Sequence, residues 1–240
     1  MNQVSIPRDI TLRVSKVLDE LIPSVIRDSR LFVLVPFKLL FRDKANIFLD
    51  FKQKAPYLSK SDYKKLYEEI DPYLISSKRS TSLNEKCLDA IMESVVGKSV
   101  LEVGCGNAHL LKKLQTKFSV TGVDILIDKT IAKKNRNIKF INAYAEDLPF
   151  KNKSYDTVIC THTLEHVQDF EKAVRELRRV TKKRLILVVP KQKPYRYTFD
   201  LHLRFFPYIE AFLLAMRDKQ IPHRFECKDL DGDIFYYEDR

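Results

Sequence analysis

Glycine is scarce in this chain: five residues among 240. Few positions can therefore turn left-handed without cost or let a ligand approach the backbone. Two of the five flank one residue, as Gly104-Cys-Gly106. Cysteine is nearly as sparse. Cys87, Cys105, Cys160 and Cys227 show no Cys-x-x-Cys spacing, which argues against zinc and against a disulfide framework. A reducing cytoplasm is the expected compartment. No apolar run reaches the roughly 20 residues of a spanning helix. The strongest, Leu31 to Phe41, is interrupted by Pro36 and Lys38. The first residues are polar and include Pro7, without the apolar region of a signal peptide. Low-complexity tracts and internal repeats are missing too.

What is present suits one large domain, or one domain with an appended subdomain. Hydrophobic residues make up 45% of the chain, ample for a core, and the net charge is +11. Such an excess favours anionic partners, whether nucleic acid, a membrane surface or a phosphorylated substrate, or it serves solubility alone.

The first 96 residues read as helical. Around Leu12 to Ile22 apolar and charged residues alternate with a helical period that Pro23 ends. The apolar run from Leu31 follows, bracketed by Arg27, Arg30 and Arg42. A short helix is expected over Ser61 to Ile70, with Ser61 or Asp62 near its start. Another runs from Asn84 to Val96 and is closed by Gly97. From Lys98 the pattern becomes strand and helix in alternation, which predicts a doubly wound sheet. The expected strands end at Val103, Asp124, Asn142, Thr161 and Pro190. Asp231-Gly-Asp233 reads as the turn of a terminal hairpin. The expected division is a helical cap over 1–96 and a second domain over 97–240.

Ser99 to Leu110 is the centre of that second domain. Val100, Leu101 and Val103 surround one acid, Glu102, then come the two glycines and an amphipathic run from His109. This predicts a buried strand, a tight turn and a helix whose first N–H groups are free for a polar ligand. A dinucleotide fingerprint needs a sixth-position glycine, and His109 stands there. The pattern Glu-x-Gly-x-Gly-x-Ala, Glu102 to Ala108, resembles instead the first motif of class I S-adenosylmethionine-dependent methyltransferases, with Ala108 in place of the last glycine. Asp124 follows Gly104 by twenty residues, at the end of the second strand. Ala145-Glu-Asp-Leu-Pro-Phe150, followed by Tyr155-Asp156, resembles the ubiquinone and menaquinone biosynthesis type of that family.

The resemblance implies an α/β, Rossmann-like, mostly parallel sheet with a C-terminal antiparallel hairpin. It implies S-adenosylmethionine as cofactor and S-adenosylhomocysteine as product. Glu102, Gly104, Cys105 and Gly106 would border the cofactor. Asp124 would accept from the ribose hydroxyls, with Ile125 on the adenine. Ala145 would offer a backbone N–H, and Glu146 or Asp147 would accept from the adenine amino group. Thr161 and the residues after it would lie beside the methionine portion. Within Thr161-His-Thr-Leu-Glu-His-Val167, a helix would set His162, Glu165 and His166 on one face. Three readings of that trio stay open: a general base at His166 or His162, a metal site, or a purely structural loop. No metal requirement is expected, since His162 stands where metal-dependent relatives carry a carboxylate. His202 and Arg204, after the fifth strand, are candidates for substrate contact. Arg178, Arg179 and Lys182 to Arg184 are expected to face water at a helix end.

Absences narrow the acceptor. Thr161-His-Thr163 is not the Asn/Asp-Pro-Pro-Tyr motif of adenine and glutamine amino-methyltransferases. Cys160 is not preceded by proline, as the cytosine C5 mechanism requires. A small-molecule, lipid or sugar acceptor methylated on oxygen or nitrogen is expected. An RNA methyltransferase, suggested by charge alone, and a non-catalytic subunit of this fold are the alternatives. Nucleic acid is not the expected partner, because no binding module is recognisable, and no obligate protein partner is evident. The apolar residues from Leu31 to Phe41 either bury against the sheet domain or, together with the aromatic segment Tyr195 to Phe206, roof the site. Basic residues beside a short apolar face also fit peripheral contact with an anionic membrane.

Overall fold

The computed structural model describes residues 21–70, 81–197, 199–218 and 224–240. The helix expected over Leu12 to Ile22 lies almost wholly outside them. The chain divides into a helical unit, Met1–Ser82 with Lys193–Leu203, and a sheet unit, Leu83–Gln192 with Arg204–Arg240.

In the helical unit, a turn at Ser24–Arg27 precedes α1 (Arg30–Phe41), α2 (Ala45–Lys54) and α3 (Lys60–Ile70). Pro36 stands inside α1 and does not end it. A proline there costs roughly 3 kcal/mol. Val33, Phe37 and Phe41 are buried on one side of the same helix, and each side chain returns about 1.5–3 kcal/mol. Phe37 lies 5.3 Å from Phe41, 6.5 Å from Phe48 and 4.6 Å from Phe199, centroid to centroid. Tyr197 and Leu201 join that core. The segment after the fifth strand is thus built into the helical unit with α1 and α2. α3 begins one residue before the expected start. Its cap is Ser59, whose Oγ accepts from the Asp62 N–H at 3.2 Å.

The sheet unit opens with α4 (Glu85–Ser94), capped by Asn84, whose Oδ1 accepts from the Cys87 N–H at 2.7 Å. Then follow β1 (Ser99–Val103), α5 (His109–Leu114), β2 (Ser119–Asp124), α6 (Lys129–Lys134), β3 (Lys139–Asn142), β4 (Tyr155–Thr161), α7 (Phe170–Val180), β5 (Thr181–Pro190), α8 (Ile209–Ala215), β6 (Phe225–Leu230) and β7 (Asp233–Asp239). The strands form one sheet in the order β3-β2-β1-β4-β5-β7-β6. β7 runs antiparallel to both neighbours, and the other pairings are parallel. The hairpin turn is Asp231-Gly232, both left-handed with φ of 53° and 85°, as the two-residue turn that suits strand twist requires.

Alternation along the strands serves two faces. Leu101, Val158, Leu187 and Tyr236 pack against α7 and α8. Val100, Ile159, Ile186 and Phe235 pack against α4 and α5. The division therefore differs from the expected boundary at 96. α4 belongs with the sheet, because Cys87, Leu88 and Ile91 are buried in the second of these layers.

Arg178 and Arg179 correct the expectation that they face water. Arg178 is buried, donates to both carboxylate oxygens of Glu238 at 2.8 Å, and donates to the Met216 carbonyl at 2.8 Å. Arg184 pairs with Asp239 at 2.6 Å and stacks over Tyr237. Asp156, part of the recognised motif, has a structural use. It accepts from the Lys98 N–H at 2.8 Å and pairs with Lys183 at 3.0 Å, which ties the start of β1 to β4 and β5.

Candidate functional site

Parallel strands in this order reverse direction of build between β1 and β4, and ligands of such sheets bind beyond the carboxyl ends there. The loop leaving β1 is held by two hydrogen bonds to one acceptor: the N–H groups of Gly104 and Cys105 donate to the Val123 carbonyl at 2.8 and 3.0 Å. Gly104 is left-handed (φ 78°), and a Cβ there would fall 1.8 Å from Thr163 Oγ1. Glycine is thus required where the loop after β1 meets the loop after β4. Gly106 is left-handed too (φ 43°), but a Cβ on it would meet nothing within 4 Å. The loop therefore has one packed side and one open side. Ala108 adopts φ 56° and ψ 29°, a conformation that glycine takes freely and alanine does not.

Asp124 closes this loop. Its Oδ2 accepts from the Gly106 N–H at 2.9 Å and its Oδ1 from the Leu126 N–H at 3.0 Å. Glu102, inside β1, is buried, and its Oε2 has no hydrogen-bond partner. Burial and the Asp124 charge hold its carboxyl well above the usual carboxylate range. An unmatched buried carboxyl oxygen costs on the order of 1–3 kcal/mol. Together with the open side at Gly106, it marks a place for a polar ligand group, and the donor set fits S-adenosylmethionine. Cys105 braces the loop. Its carbonyl accepts from Ala108 at 2.7 Å, its thiol is buried, and burial with two nearby carboxylates pushes that thiol far up.

The loop after β3 is fastened from below. Arg179 donates to the carbonyls of Leu148 and Phe150 at 3.0 and 2.7 Å, and Glu176 accepts from the Leu148 N–H at 2.9 Å. This holds the Ala145-to-Phe150 segment in place. Ala145 and Glu146 are buried, and Asp147 is exposed. Glu146 accepts from the Asp169 N–H at 3.4 Å, so the two acids have different surroundings. Ile125, half-buried, has its carbonyl fixed by Asn142 Nδ2 at 3.2 Å.

After β4 the segment forms a turn and not a helix, with the His166 N–H donating to the Thr163 carbonyl at 3.0 Å. Thr161 supplies the carbonyl that accepts from Thr163 Oγ1 at 2.9 Å. The trio still converges. His162, left-handed at φ 47°, places Nδ1 3.6 Å from Glu165 Oε1 and Nε2 3.5 Å from Asp233 Oδ2. His166 Nε2 lies 4.0 Å from the same Glu165 oxygen. Burial alone would weaken the His162 proton, but the two carboxylates outweigh it and raise the imidazole to about 9. Asn84 Nδ2 steadies Asp233 at 3.0 Å. Arg204 adjoins the turn: its N–H donates to the Glu165 carbonyl at 3.1 Å, and its guanidinium lies over Phe170. His202, the other candidate for substrate contact, is buried and belongs to the helical unit.

Sequence reasoning missed Asp233, Asn84, Thr163, Glu176 and Arg179. Asp233 read as a turn residue, and no local pattern could join it to His162, 71 positions away. Arg178 did carry a signal, since it lies four residues after buried Val174 on the apolar side of α7.

Residues 101–189 match the family model described as a methyltransferase domain. The chain is 32% identical over 126 residues to a fatty-acid O-methyltransferase of Mycolicibacterium smegmatis, covering 48% of this chain and 46% of that one. It is 29% identical over 128 residues to a demethylmenaquinone methyltransferase of Staphylococcus haemolyticus, covering 48% and 54%. The chain thus spans about half the length of these curated relatives. A solved S-adenosylmethionine-dependent methyltransferase from Thermotoga maritima matches with a TM-score of 0.51 at 19% identity, covering 79% of this chain and 97% of that one. At that identity the likeness is one of fold.

Proposed function

Given that the chain carries a class I S-adenosylmethionine-dependent methyltransferase domain, we propose that it methylates an oxygen nucleophile on a small, lipid-like acceptor. The observation that carries the cofactor assignment is the buried, unmatched Glu102 oxygen on the strand that leads into the Gly104–Gly106 loop, which is open at Gly106. Asp124, at the carboxyl end of β2, would hold the ribose, and Ile125, Ala145 and Asp147 would border the adenine. Bound S-adenosylmethionine supplies a methyl group already activated on a sulfonium.

The protein's own work is then alignment and proton removal. His166 is the proton acceptor in this reading. His162 is not, because an imidazole between two carboxylates is already protonated at neutral pH. It positions the turn instead, and Glu165 orients the His166 ring. Arg204 offers a cation to the acceptor. A lipid-like acceptor is supported by the names of the two relatives above, a fatty-acid and a demethylmenaquinone methyltransferase.

Calorimetry with S-adenosylmethionine tests the cofactor, and Asp124→Ala should weaken binding by at least about tenfold, since charge-assisted hydrogen bonds are worth about 1.5–3 kcal/mol each. No binding by the wild type, or equal binding by the variant, would overturn the assignment. Labelled S-adenosylmethionine incubated with fractionated cell extract should mark the lipid fraction, and label confined to RNA would refute the acceptor class.

A further inference from the structure

We propose that the outer face of α1 docks on an anionic lipid bilayer. α1 buries Val33, Phe37 and Phe41 on one side. Its other side carries Leu31, Phe32, Val35 and Leu39, which are 81, 40, 63 and 77% exposed. Leu31, Val35 and Leu39 form a row at four-residue spacing, with Phe32 beside it. Val25, 84% exposed, lies just before the helix. A helix that is apolar on both sides belongs against something apolar on both, and scattered single exposures would not make such a row.

Charge identifies what covers it. Ser29 to Arg42 contains three basic residues and no acid. Arg30 is spent on Asp50 at 3.0 Å. Lys38 and Arg42 are exposed, and among the described residues neither has a carboxylate partner. Lys38 adjoins the row, three residues after Val35 and seven after Leu31. Aliphatic residues that enter the acyl boundary, rimmed by free cations at the level of lipid phosphates, are the arrangement of a helix lying in the membrane plane. None of the described helices is long and apolar enough to cross a membrane. A second copy is a poorer occupant. It would present the same row and the same Lys38, with no acid in the helix to meet that cation. The inference rests on α1 alone and is independent of the methyl-transfer reading.

The test is co-sedimentation of the full chain with vesicles of phosphatidylcholine, alone or mixed with phosphatidylglycerol. The protein should pellet with the mixed vesicles only, and added salt should release it. Lys38→Gln and Arg42→Gln should each weaken binding about fivefold. Val35→Glu with Leu39→Glu should abolish it while leaving the thermal unfolding curve unchanged, as both sites face solvent. Equal binding to neutral vesicles, no binding to anionic ones, or full binding by the glutamate variant would overturn the proposal. So would a lipid-free dimer that the glutamate pair converts to monomer, since the face would then be an interface between copies.

Discussion

His162 makes the stability of the sheet unit depend on pH in a window where few groups titrate. Its imidazole lies 3.6 Å from Glu165 and 3.5 Å from Asp233, both buried, and its proton is held to about pH 9. In the unfolded chain it returns to the ordinary value near 6.5. At about 1.4 kcal/mol per pH unit, that difference is worth on the order of 3 kcal/mol. The folded state binds the proton more tightly. The contribution is therefore complete below pH 6.5, declines as pH rises, and is gone above pH 9. Lys52, in the helical unit, acts in the opposite sense. Burial lowers its amine to about 8, so its penalty eases only as pH rises beyond that. The comparison of wild type with His162→Gln isolates the imidazole from Lys52. Urea unfolding at pH 6.5, 7.5, 8.5 and 9.5 should show wild-type stability falling relative to the variant by about one proton's slope. The His162 resonance should titrate near pH 9 in the folded protein. A parallel pH dependence in both proteins, or a midpoint near 6.5, would refute the ion cluster.

Ala108→Gly should stabilise the protein by about 0.5–1 kcal/mol, because relief of a left-handed alanine exceeds the added flexibility of the unfolded chain; denaturant midpoints check this. Arg178→Met should cost about 3–5 kcal/mol by leaving buried Glu238 with only the longer contact to Arg240, at 3.6 Å, as a cation, and adding Glu238→Gln should restore part of the loss in the same melts. Methyl transfer should survive chelation by EDTA, because an imidazolium has no lone pair for a metal and His162 is then lost as a ligand. Loss of turnover that Mg²⁺ restores would make Glu165 and His166 ligands instead.

The order of strands and helices from Ser99 to Pro190 was legible in the sequence because each element announces itself locally. Buried strands are short apolar runs, and glycine marks a turn that needs positive φ. Gly104, Gly106 and Asp124 were readable for that reason, and so was the hairpin at Asp231-Gly232. What α4 and the segment from Lys193 to Leu203 pack against could not be read. An apolar face records that it is buried but not where, and the structure gave α4 to the sheet and Tyr197 to the helical core. The charges were decided by tertiary structure alone. Nothing near His162 in the chain reveals Asp233, and nothing near Arg179 reveals the carbonyls of Leu148 and Phe150. A side chain's charge state follows from the groups around it in space, and those come from elements that only the folded sheet brings together.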